Sequence, residues 1–382
     1  MYSVFNYGQM LTDTVRMSAY TQALQRALRT GATVLDIGTG TGFFTLLACK
    51  LGARRVYAIE PDNAIQVARQ IAATSEYAER ITFFQALSTA VTLPEQVDVM
   101  ISDLRGVLPL FQQHIPAIVD ARQRLLAPDG IQIPHSDTLW VAVAEAPELF
   151  MEYTAPWEDR LDGLDMSVAR QSVLNVWRKA RLMPQQLFTK PRAWATLDYT
   201  SLTSPHVTGN VEWTVDRAGV AHGLCAWFDA TLAVGIHFSN APGAPEAIYG
   251  QVFFPWLEPV SLAVGDTVAV TLHAHLVNDD YVWRWDTQVW PHDNPRQAKA
   301  HFTQSTFFGV PLTPQQLRKL QANYRPQLTE AGEIDRDILS LMDGKFSQEE
   351  IASQMRSRFP AHFNSPQDAL SRVCQLSEKY ST

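Results

Sequence analysis

The stretch from Val97 to Pro116, VDVMISDLRGVLPLFQQHIP, places three polar side chains where a buried strand ends and a loop begins. Asp103 supplies a negative charge, Arg105 a positive charge and Gln112 an uncharged amide. A carboxylate in such a loop can orient a substrate or accept its proton, with an amide as hydrogen-bond partner. We therefore interpret these three residues as candidate catalytic residues. Asp103 has a second interpretation as a loop cap, and Arg105 either binds a substrate carboxylate, faces solvent or pairs near Glu60.

A glycine-rich turn, VLDIGTGTG, lies earlier in the chain between a predicted strand and a predicted helix. Its glycines let the backbone turn sharply and approach a ligand, and Glu60 ends the next strand, where a carboxylate can bind ribose hydroxyls. A dinucleotide-binding turn needs a third glycine where this chain has Phe43. Asp36 would repel a pyrophosphate but suits a cationic ligand, so the pattern favours S-adenosyl-L-methionine; the alternative is that Asp36 only caps the turn. The predicted cofactor contacts on the turn are Gly38, Gly40 and Thr41.

Five short apolar runs alternate with helical patterns over the first 140 residues, which is typical of a parallel sheet with crossover helices. The predicted strands are 33–38, 55–61, 80–86, 97–103 and a fifth that follows a Pro-Asp-Gly turn and ends near Pro134. Gly52 is predicted to end the first crossover helix and Asp62 to cap the second. We therefore predict an α/β fold that begins with a Rossmann-like cofactor-binding domain at 1–136.

From about residue 137 apolar and polar residues alternate, as in NVEWTV and DTVAVTLHAHLV. This alternation predicts antiparallel strands in a barrel or sandwich, and we assign 137–325 to a β-barrel substrate domain. An amphipathic helical insert at about 153–185 is interpreted as a partner-binding arm. The tail, 326–382, is predicted to be a small module of three helices, with capping signals at Ser347 and Ser365.

The composition excludes several classes of partner. The formal net charge is −8 and no long basic run is present, which argues against nucleic acid and anionic membranes. Three scattered cysteines share no metal-type spacing, and we predict no metal ligands. No signal sequence and no run of about 18 apolar residues is found. We therefore expect a soluble cytoplasmic protein with reduced thiols.

Several segments together resemble the protein arginine methyltransferase family: QMLTDTVRMSAY, VLDIGTGTGFFTLLACKLGARRVYAIEP, LPEQVDVMISDLRG, ARQRLLAPDGIQIP and GLDMS. They cover about residues 9 to 310. The resemblance implies that Arg16 binds the cofactor carboxylate and Glu60 the ribose, and that Ser88 and Thr89 flank the adenine. It also implies that the insert is a dimerisation arm in a head-to-tail homodimer.

The tail resembles the small PqqD-like modules that bind leader peptides of ribosomally made peptides, through DILSLMDGKFSQEEIASQM. A winged-helix module also fits the pattern, and a helical cap that buries barrel surface is the alternative.

This chain departs from the family at the loop after the fourth strand. The family carries two glutamates there that hold the guanidinium, and these positions fall on Asp103 and Gln112. A family Thr-His-Trp loop falls on Ala247–Tyr249, so that Ile248 replaces the histidine. We expect the N-terminal helix that folds over the cofactor to be shorter than in the family, because the chain begins just before Tyr7.

These departures bear on the substrate, because a guanidinium is protonated and needs carboxylates to orient it and balance its charge. Two acids would supply a charge of about −2, whereas this loop supplies −1, 0 and +1. At about 4 Å and an effective dielectric constant of about 20, the Coulomb attraction falls by several kcal/mol. We therefore predict an S-adenosylmethionine-dependent methyltransferase that N-methylates a small molecule or peptide of the natural-product type. The alternatives are a protein or free arginine N-methyltransferase with a second acid from elsewhere, and a catalytically silent scaffold.

Overall fold

The structure is a computed structural model that describes residues 3–158, 163–294 and 296–381. The chain divides into two compact units, Met1–Pro311 and Leu312–Thr382. The predicted domain ranges 1–136 and 137–325 remain predictions within this division, and the predicted module at 326–382 lies inside the second unit.

A five-stranded parallel sheet organises the first part of the chain. Its strands are β1 (Thr33–Ile37), β2 (Arg55–Ile59), β3 (Ile81–Phe84), β4 (Val97–Ser102) and β5 (Leu126–Ile133). They pair in the order β3-β2-β1-β4-β5, and every pair is parallel. β1 is buried at every residue because helices cover both faces of such a sheet. The predicted Rossmann-like α/β arrangement is therefore confirmed, and the carboxyl ends of these strands meet at one edge.

Five helices accompany this sheet: α1 (Val4–Thr12), α2 (Thr14–Ala27), α3 (Phe43–Lys50), α4 (Ala64–Ala73) and α5 (His114–Arg124). Gly52 follows the end of α3 with φ +101°, as predicted for a helix end. Asp62 Oδ1 accepts the Ala64 N–H at 3.1 Å, but the N-cap residue of α4 is Asn63, one residue later than predicted, and the Asn63 side chain makes no capping bond. The predicted Pro-Asp-Gly turn is absorbed into β5, whose register with β4 shifts between Val97 and Val99. A bulge keeps these residues in the strand, which the turn signal alone does not show.

The antiparallel part forms two sheets instead of the predicted barrel. The strands are β6 (Ser136–Ala144), β7 (Arg178–Ala180), β8 (Arg192–Asp198), β9 (Val207–Thr214), β10 (Gly219–Ala233), β11 (Ile236–Ser239), β12 (Gln251–Leu262), β13 (Thr267–Val277), β14 (Asp280–Trp290) and β15 (Ala300–Ser305). One sheet has the order β7-β12-β10-β6-β8 with β11 paired to β10, and the other has the order β15-β14-β13-β9. Among the described residues no ladder closes these sheets into one barrel. Alternation predicts which side chains face inward, but it does not predict which strand edges pair.

The predicted arm is partly helical and partly strand. Helices α6 (Pro147–Glu158) and α7 (Ser167–Leu174) form its helical part, and residues 159–162 lie outside the described residues. The end of the predicted range 153–185 includes β7, which pairs with β12 and thus belongs to the larger antiparallel sheet. The helices begin six residues before the predicted range, at Pro147.

The second unit contains helices α8 (Pro314–Lys319), α9 (Glu330–Leu341), α10 (Gln348–Arg358) and α11 (Pro366–Tyr380). Its own apolar core includes Ile338, Ile351 and Val373. Both predicted capping signals are present, at Ser347 for α10 and at Ser365 for α11. No strand is found in the described part of this unit. The PqqD-like and winged-helix interpretations remain predictions.

No helix in the described ranges is long and apolar enough to cross a membrane. The three cysteines form no disulfide: Cys49 and Cys225 are buried, and Cys374 is half-buried.

Candidate active site

The glycine-rich turn follows β1 and leads into α3. Gly38, Gly40 and Gly42 have φ angles of +75°, +53° and +87°, which favour glycine. A Cβ atom at Gly40 would lie 2.5 Å from the ring of Tyr7, and one at Gly38 would lie 2.4 Å from Leu104 Cδ2. Side chains from α1 and from the loop after β4 therefore pack directly against this turn.

Glu60 is buried at the end of β2, beside the same turn. Its Oε2 accepts the Gly40 N–H at 3.1 Å, and its Oε1 accepts the Asp62 N–H at 3.0 Å. Burial raises the pKa of this carboxyl, and these two backbone donors act against the rise. Each oxygen keeps one lone pair, so Glu60 can accept two further hydrogen bonds from a ligand.

Asp36 is buried within β1, where its Oδ2 accepts the Thr45 hydroxyl at 2.7 Å. Burial raises the pKa of Asp36, and hydrogen bonds from Thr45 and Thr39 oppose this. The carboxylate thus joins the strand to α3. Its predicted contact with a cationic ligand remains a prediction.

The other predicted cofactor contacts follow strands of the parallel sheet. Thr41 is half-buried on the glycine-rich turn, while Ser88 is buried and Thr89 exposed in a short helical turn after β3. Arg124 Nη2 donates to the Ser88 carbonyl oxygen at 3.1 Å and holds that turn against α5. Parallel pairing brings these segments to the edge of the sheet that carries Glu60, and their adenine and ribose roles stay predictions.

Asp103, the first residue after β4, is almost fully enclosed by three donors. Its Oδ2 accepts from Arg16 Nε and from the Tyr249 hydroxyl, the latter at 2.7 Å. Its Oδ1 accepts from Arg105 Nη1 at 3.2 Å. Only 7% of the side chain is exposed. The residue predicted to contact a substrate is therefore held by three internal partners.

Arg105 neither faces solvent nor pairs near Glu60, as two of its interpretations had it. Its Nε and Nη2 donate to the two oxygens of Asp137 at 2.8 and 2.7 Å. Its Nη1 donates to the Tyr20 hydroxyl as well as to Asp103. The guanidinium also lies 5.5 Å from the ring centre of Phe228, and its side chain is completely buried. The loop after β4 is thereby fastened to α2 and β6.

The ionisation of Asp103 follows from this surrounding. Burial acts to raise its pKa, but the positive charges of Arg16 and Arg105 outweigh burial and lower the pKa to about 2. The Tyr249 hydrogen bond acts in the same direction. A carboxyl that holds its proton so weakly is poorly matched to proton abstraction near neutral pH, so the geometry favours orientation over general-base chemistry.

Gln112 lies apart from this buried group. It is exposed, with a positive φ of +41°, and its side chain makes no hydrogen bond to the described residues. The predicted hydrogen-bond partnership with Asp103 is therefore not seen. Two residues later His114 is buried, with Nε2 3.1 Å from the Tyr199 hydroxyl. Burial and the charge of Arg105 lower the pKa of His114 to about 3, so it is neutral near pH 7.

The loop Ala247–Tyr249 connects several of these elements. The Ile248 N–H donates to Asp13 Oδ2 at 2.7 Å, and Lys179 Nζ donates to the Ile248 carbonyl oxygen at 2.6 Å. Asp13 Oδ1 in turn accepts the Arg16 N–H and caps α2. The backbone of Ile248 thus links the start of α2 to β7, although its side chain cannot form the hydrogen bonds of a histidine.

Sequence patterns did not identify four members of the buried group: Tyr20, Asp137, Tyr199 and Tyr249. Each lies far along the chain from Asp103 and Arg105, and no local spacing relates them. One signal was available, because an arginine in a buried segment requires an acid nearby, and Asp137 begins the antiparallel region. In the described parts of the chain no cluster of three or more His, Cys, Asp or Glu side chains could hold a metal ion.

The residues at the sheet edge fit S-adenosyl-L-methionine. Glu60 retains two acceptor positions, which match two ribose hydroxyl donors. Arg16 Nη2 is hydrogen-bonded to no described residue, so it can receive a carboxylate while Nε stays on Asp103. The glycines of the turn carry no side chains of their own between its backbone and a ligand.

Two family models match adjoining parts of the chain. Residues 12–133 match "Ribosomal protein L11 methyltransferase (PrmA)", and residues 135–290 match "Arginine methyltransferase oligomerization subdomain". The chain is 28% identical to protein arginine N-methyltransferase 6 of Xenopus tropicalis over 64% of its own length and 76% of that protein. It is 29% identical to the arginine N(omega)-methyltransferase of Streptomyces achromogenes subsp. streptozoticus over 69% and 74%.

A solved structure shows the same fold. The chain matches the Trypanosoma brucei PRMT1 enzyme-prozyme heterotetrameric complex with AdoHcy at a TM-score of 0.71 and 21% identity, covering 78% of this chain and 96% of that one. The fold, the site and the matches together define an S-adenosyl-L-methionine-dependent methyltransferase of class I. Within that class the chain is protein arginine methyltransferase-like, and S-adenosyl-L-methionine is its cofactor.

Proposed function

We propose that the enzyme methylates an uncharged nitrogen of a small molecule or peptide of the natural-product type. The observation that carries this proposal is the internal pairing of Asp103 with Arg16, Arg105 and Tyr249. Gln112, at the second position of the loop, brings no charge and is exposed. The loop therefore offers no pair of free carboxylates to a cationic acceptor.

Methyl transfer constrains what the site must do. The reaction is an in-line displacement, so the acceptor lone pair must lie about 3 Å from the methyl carbon, with water kept out. The sulfonium of the cofactor supplies the activated methyl group. An uncharged amine or pyridine-type nitrogen already carries a lone pair and needs orientation before transfer. After transfer to an N–H acceptor the methylated nitrogen carries a positive charge, and its proton passes to water when the product leaves. The need for orientation suits a site whose acid is ionised and hydrogen-bonded.

We assign the roles as follows. Glu60 accepts from the ribose, Arg16 binds the cofactor carboxylate through its remaining nitrogen, and Asp36 and Thr41 shape the turn. Ser88 and Thr89 flank the adenine. Asp103 holds Arg16 and Tyr249 in place beside the acceptor, and Arg105 in turn holds Asp103.

A screen by intact mass tests this proposal. Purified protein with S-adenosyl-L-methionine is incubated with uncharged heterocyclic nitrogen acceptors, candidate precursor peptides, free arginine and arginine peptides. We expect one methyl group to be added to uncharged nitrogen acceptors only. The matched control is Glu60→Ala, which removes the ribose acceptor and should abolish transfer to every acceptor. Robust dimethylation of arginine peptides by the wild type would reject the proposal.

Arginine N-methylation is the second candidate, and the names of the relatives favour it. It requires an acid from elsewhere to replace Gln112, and Arg16 and Arg105 to release Asp103. Asp103→Asn distinguishes the candidates: it would remove arginine methylation altogether, whereas methylation of an uncharged acceptor would be reduced but retained.

We further propose that the chain forms a homodimer through the arm. The described arm residues expose several apolar side chains: Met151, Leu164, Met166 and Val168. Exposed apolar side chains concentrated on the arm indicate a protein contact. A second copy of this chain is the partner that fits the head-to-tail arrangement expected from the resemblance. The second unit is proposed to recruit a peptide acceptor, in keeping with its PqqD-like pattern.

A further inference from the structure

Arg105 is the most unusual side chain near the acceptor site, because it is a completely buried arginine two residues after the site carboxylate. It forms a bidentate ion pair with Asp137, and its third nitrogen donates to Asp103 and Tyr20. These four hydrogen bonds use four of the five donor positions of the guanidinium. Its position is thus fixed from three directions.

The charges around it alternate. Arg16, Asp103, Arg105 and Asp137 follow one another through direct contacts, and their formal charges sum to zero. Without Arg105 and its partner, Asp103 would keep only one cation, and that cation is also the proposed ligand of the cofactor carboxylate. Loss of Arg105 alone would therefore change the summed formal charge of these side chains from zero to −1.

Hydrogen-bond capacity leads to the same conclusion. Asp103 Oδ2 accepts from Arg16 and Tyr249, which fills both of its lone pairs. Oδ1 accepts from Arg105 and retains one. A guanidinium binds a carboxylate best through two parallel bonds to two oxygens, and this carboxylate has only one acceptor position left.

We propose that Arg105 determines which acceptors the enzyme accepts. It does so as a positioning residue, by holding the carboxylate of Asp103. By holding Asp103 in an electroneutral buried chain, it restricts the enzyme to acceptors that are uncharged at the reacting atom and rejects guanidinium and ammonium groups. This inference rests on the proposed function and names the feature that sets the acceptor class.

Paired probes of equal shape and different charge test the proposal. The binding of ethylguanidinium and of its neutral isostere N-ethylurea is measured by ligand-observed NMR on protein saturated with S-adenosylhomocysteine. We expect Arg105→Met to raise the guanidinium-to-urea affinity ratio by about tenfold or more, since it frees Oδ1 and removes one positive charge. Arg105→Lys, which keeps the charge, should stay close to the wild-type ratio.

Two further variants guard against simple loss of folding. Arg105→Met leaves Asp137 buried without a cation, whereas Arg105→Met with Asp137→Asn removes both charges and leaves the remaining pair neutral. The double variant frees Asp103 Oδ1 without adding net negative charge, so its ratio should also rise, but by less than in Arg105→Met. Retained affinity for S-adenosylhomocysteine shows that a variant is folded. A folded variant whose ratio does not rise overturns the role of Arg105, whatever the acceptor screen shows. Strong ethylguanidinium binding by the wild type that Asp103→Asn abolishes would overturn the proposed function as well.

Discussion

Asp103 is the residue to which we assign the central position in the proposed acceptor site. It keeps its charge because Arg16 and Arg105 stabilise the ionised form more than burial disfavours it. Its position at the end of β4 was predictable, because a strand followed by an acid is a local pattern. Its contact with Tyr249 was not predictable, and neither was the pairing of its partner Arg105 with Asp137, since both residues come from the antiparallel region, far along the chain.

Removing the Asp103 charge should change how stability depends on pH. Its folded-state pKa of about 2 lies below the usual 3.8, so the ionised group stabilises the fold above about pH 4, and this contribution disappears as the pH falls toward 2. We expect the difference in the free energy of unfolding between wild type and Asp103→Asn to shrink by about 2 kcal/mol from about pH 5 to about pH 2. Urea unfolding followed by tryptophan fluorescence measures this difference.

The control for this prediction is Asp129→Asn, at an exposed position in β5. The difference in the free energy of unfolding between this variant and the wild type should stay constant throughout the same pH range. If the difference in the free energy of unfolding between wild type and Asp103→Asn stays constant with pH, the charge of Asp103 does not stabilise the fold.

The secondary structure elements divide into those with local causes and those without. β1 to β4 and α3 were predictable to within a few residues, because buried β-branched runs and helix caps are written in neighbouring residues. The continuation of β5 through Pro128–Gly130 was not, since pairing with β4 outweighs the turn propensity of that segment. Alternation predicts a barrel or a sandwich without distinguishing them, because it specifies which face of a strand is buried and leaves the pairing of strand edges undetermined.

The capping box of α10 gives a prediction at this scale. Ser347 Oγ accepts the Glu350 N–H at 3.3 Å, and Glu350 Oε2 accepts the Ser347 N–H at 2.8 Å. We expect Ser347→Ala to lower the free energy of opening of α10 by about 1 kcal/mol, because an N-terminal amide loses its acceptor. Amide hydrogen exchange along α10 measures the change. Glu350→Gln keeps the reciprocal bond and should exchange nearly as slowly as wild type; equal rates in Ser347→Ala and wild type would refute the prediction.

The whole molecule is an acidic chain whose first unit exposes apolar side chains on α6 and α7. Val168 in α7 and Met151 in α6 are 85% and 55% exposed, which is costly unless another surface covers them. The sequence indicated an amphipathic insert there, and the resemblance supplied its interpretation as a dimerisation arm. Composition alone could not identify a dimerisation arm, because surface charge does not specify an interface.

Val168→Asp should therefore convert a dimer into a monomer, because a charge placed in an apolar contact loses its hydration. Size-exclusion chromatography with light scattering measures the molar mass. The matched control is Val264→Asp in the turn before β13, where an exposed valine lies outside the arm and the mass should stay that of the dimer. If Val168→Asp and Val264→Asp both have the molar mass of the dimer, the arm is not the contact between the two copies.

The bond between Arg105 and Asp137 also limits how this enzyme could have been built. The boundary inferred between the cofactor-binding and substrate domains falls after residue 136, so one partner of the bidentate pair stands on each side of it. A chain severed there would leave a guanidinium and a carboxylate separately stranded in apolar surroundings. The two halves could therefore not be exchanged independently during evolution. A different second half would have to supply an acid that pairs with Arg105 in place of Asp137.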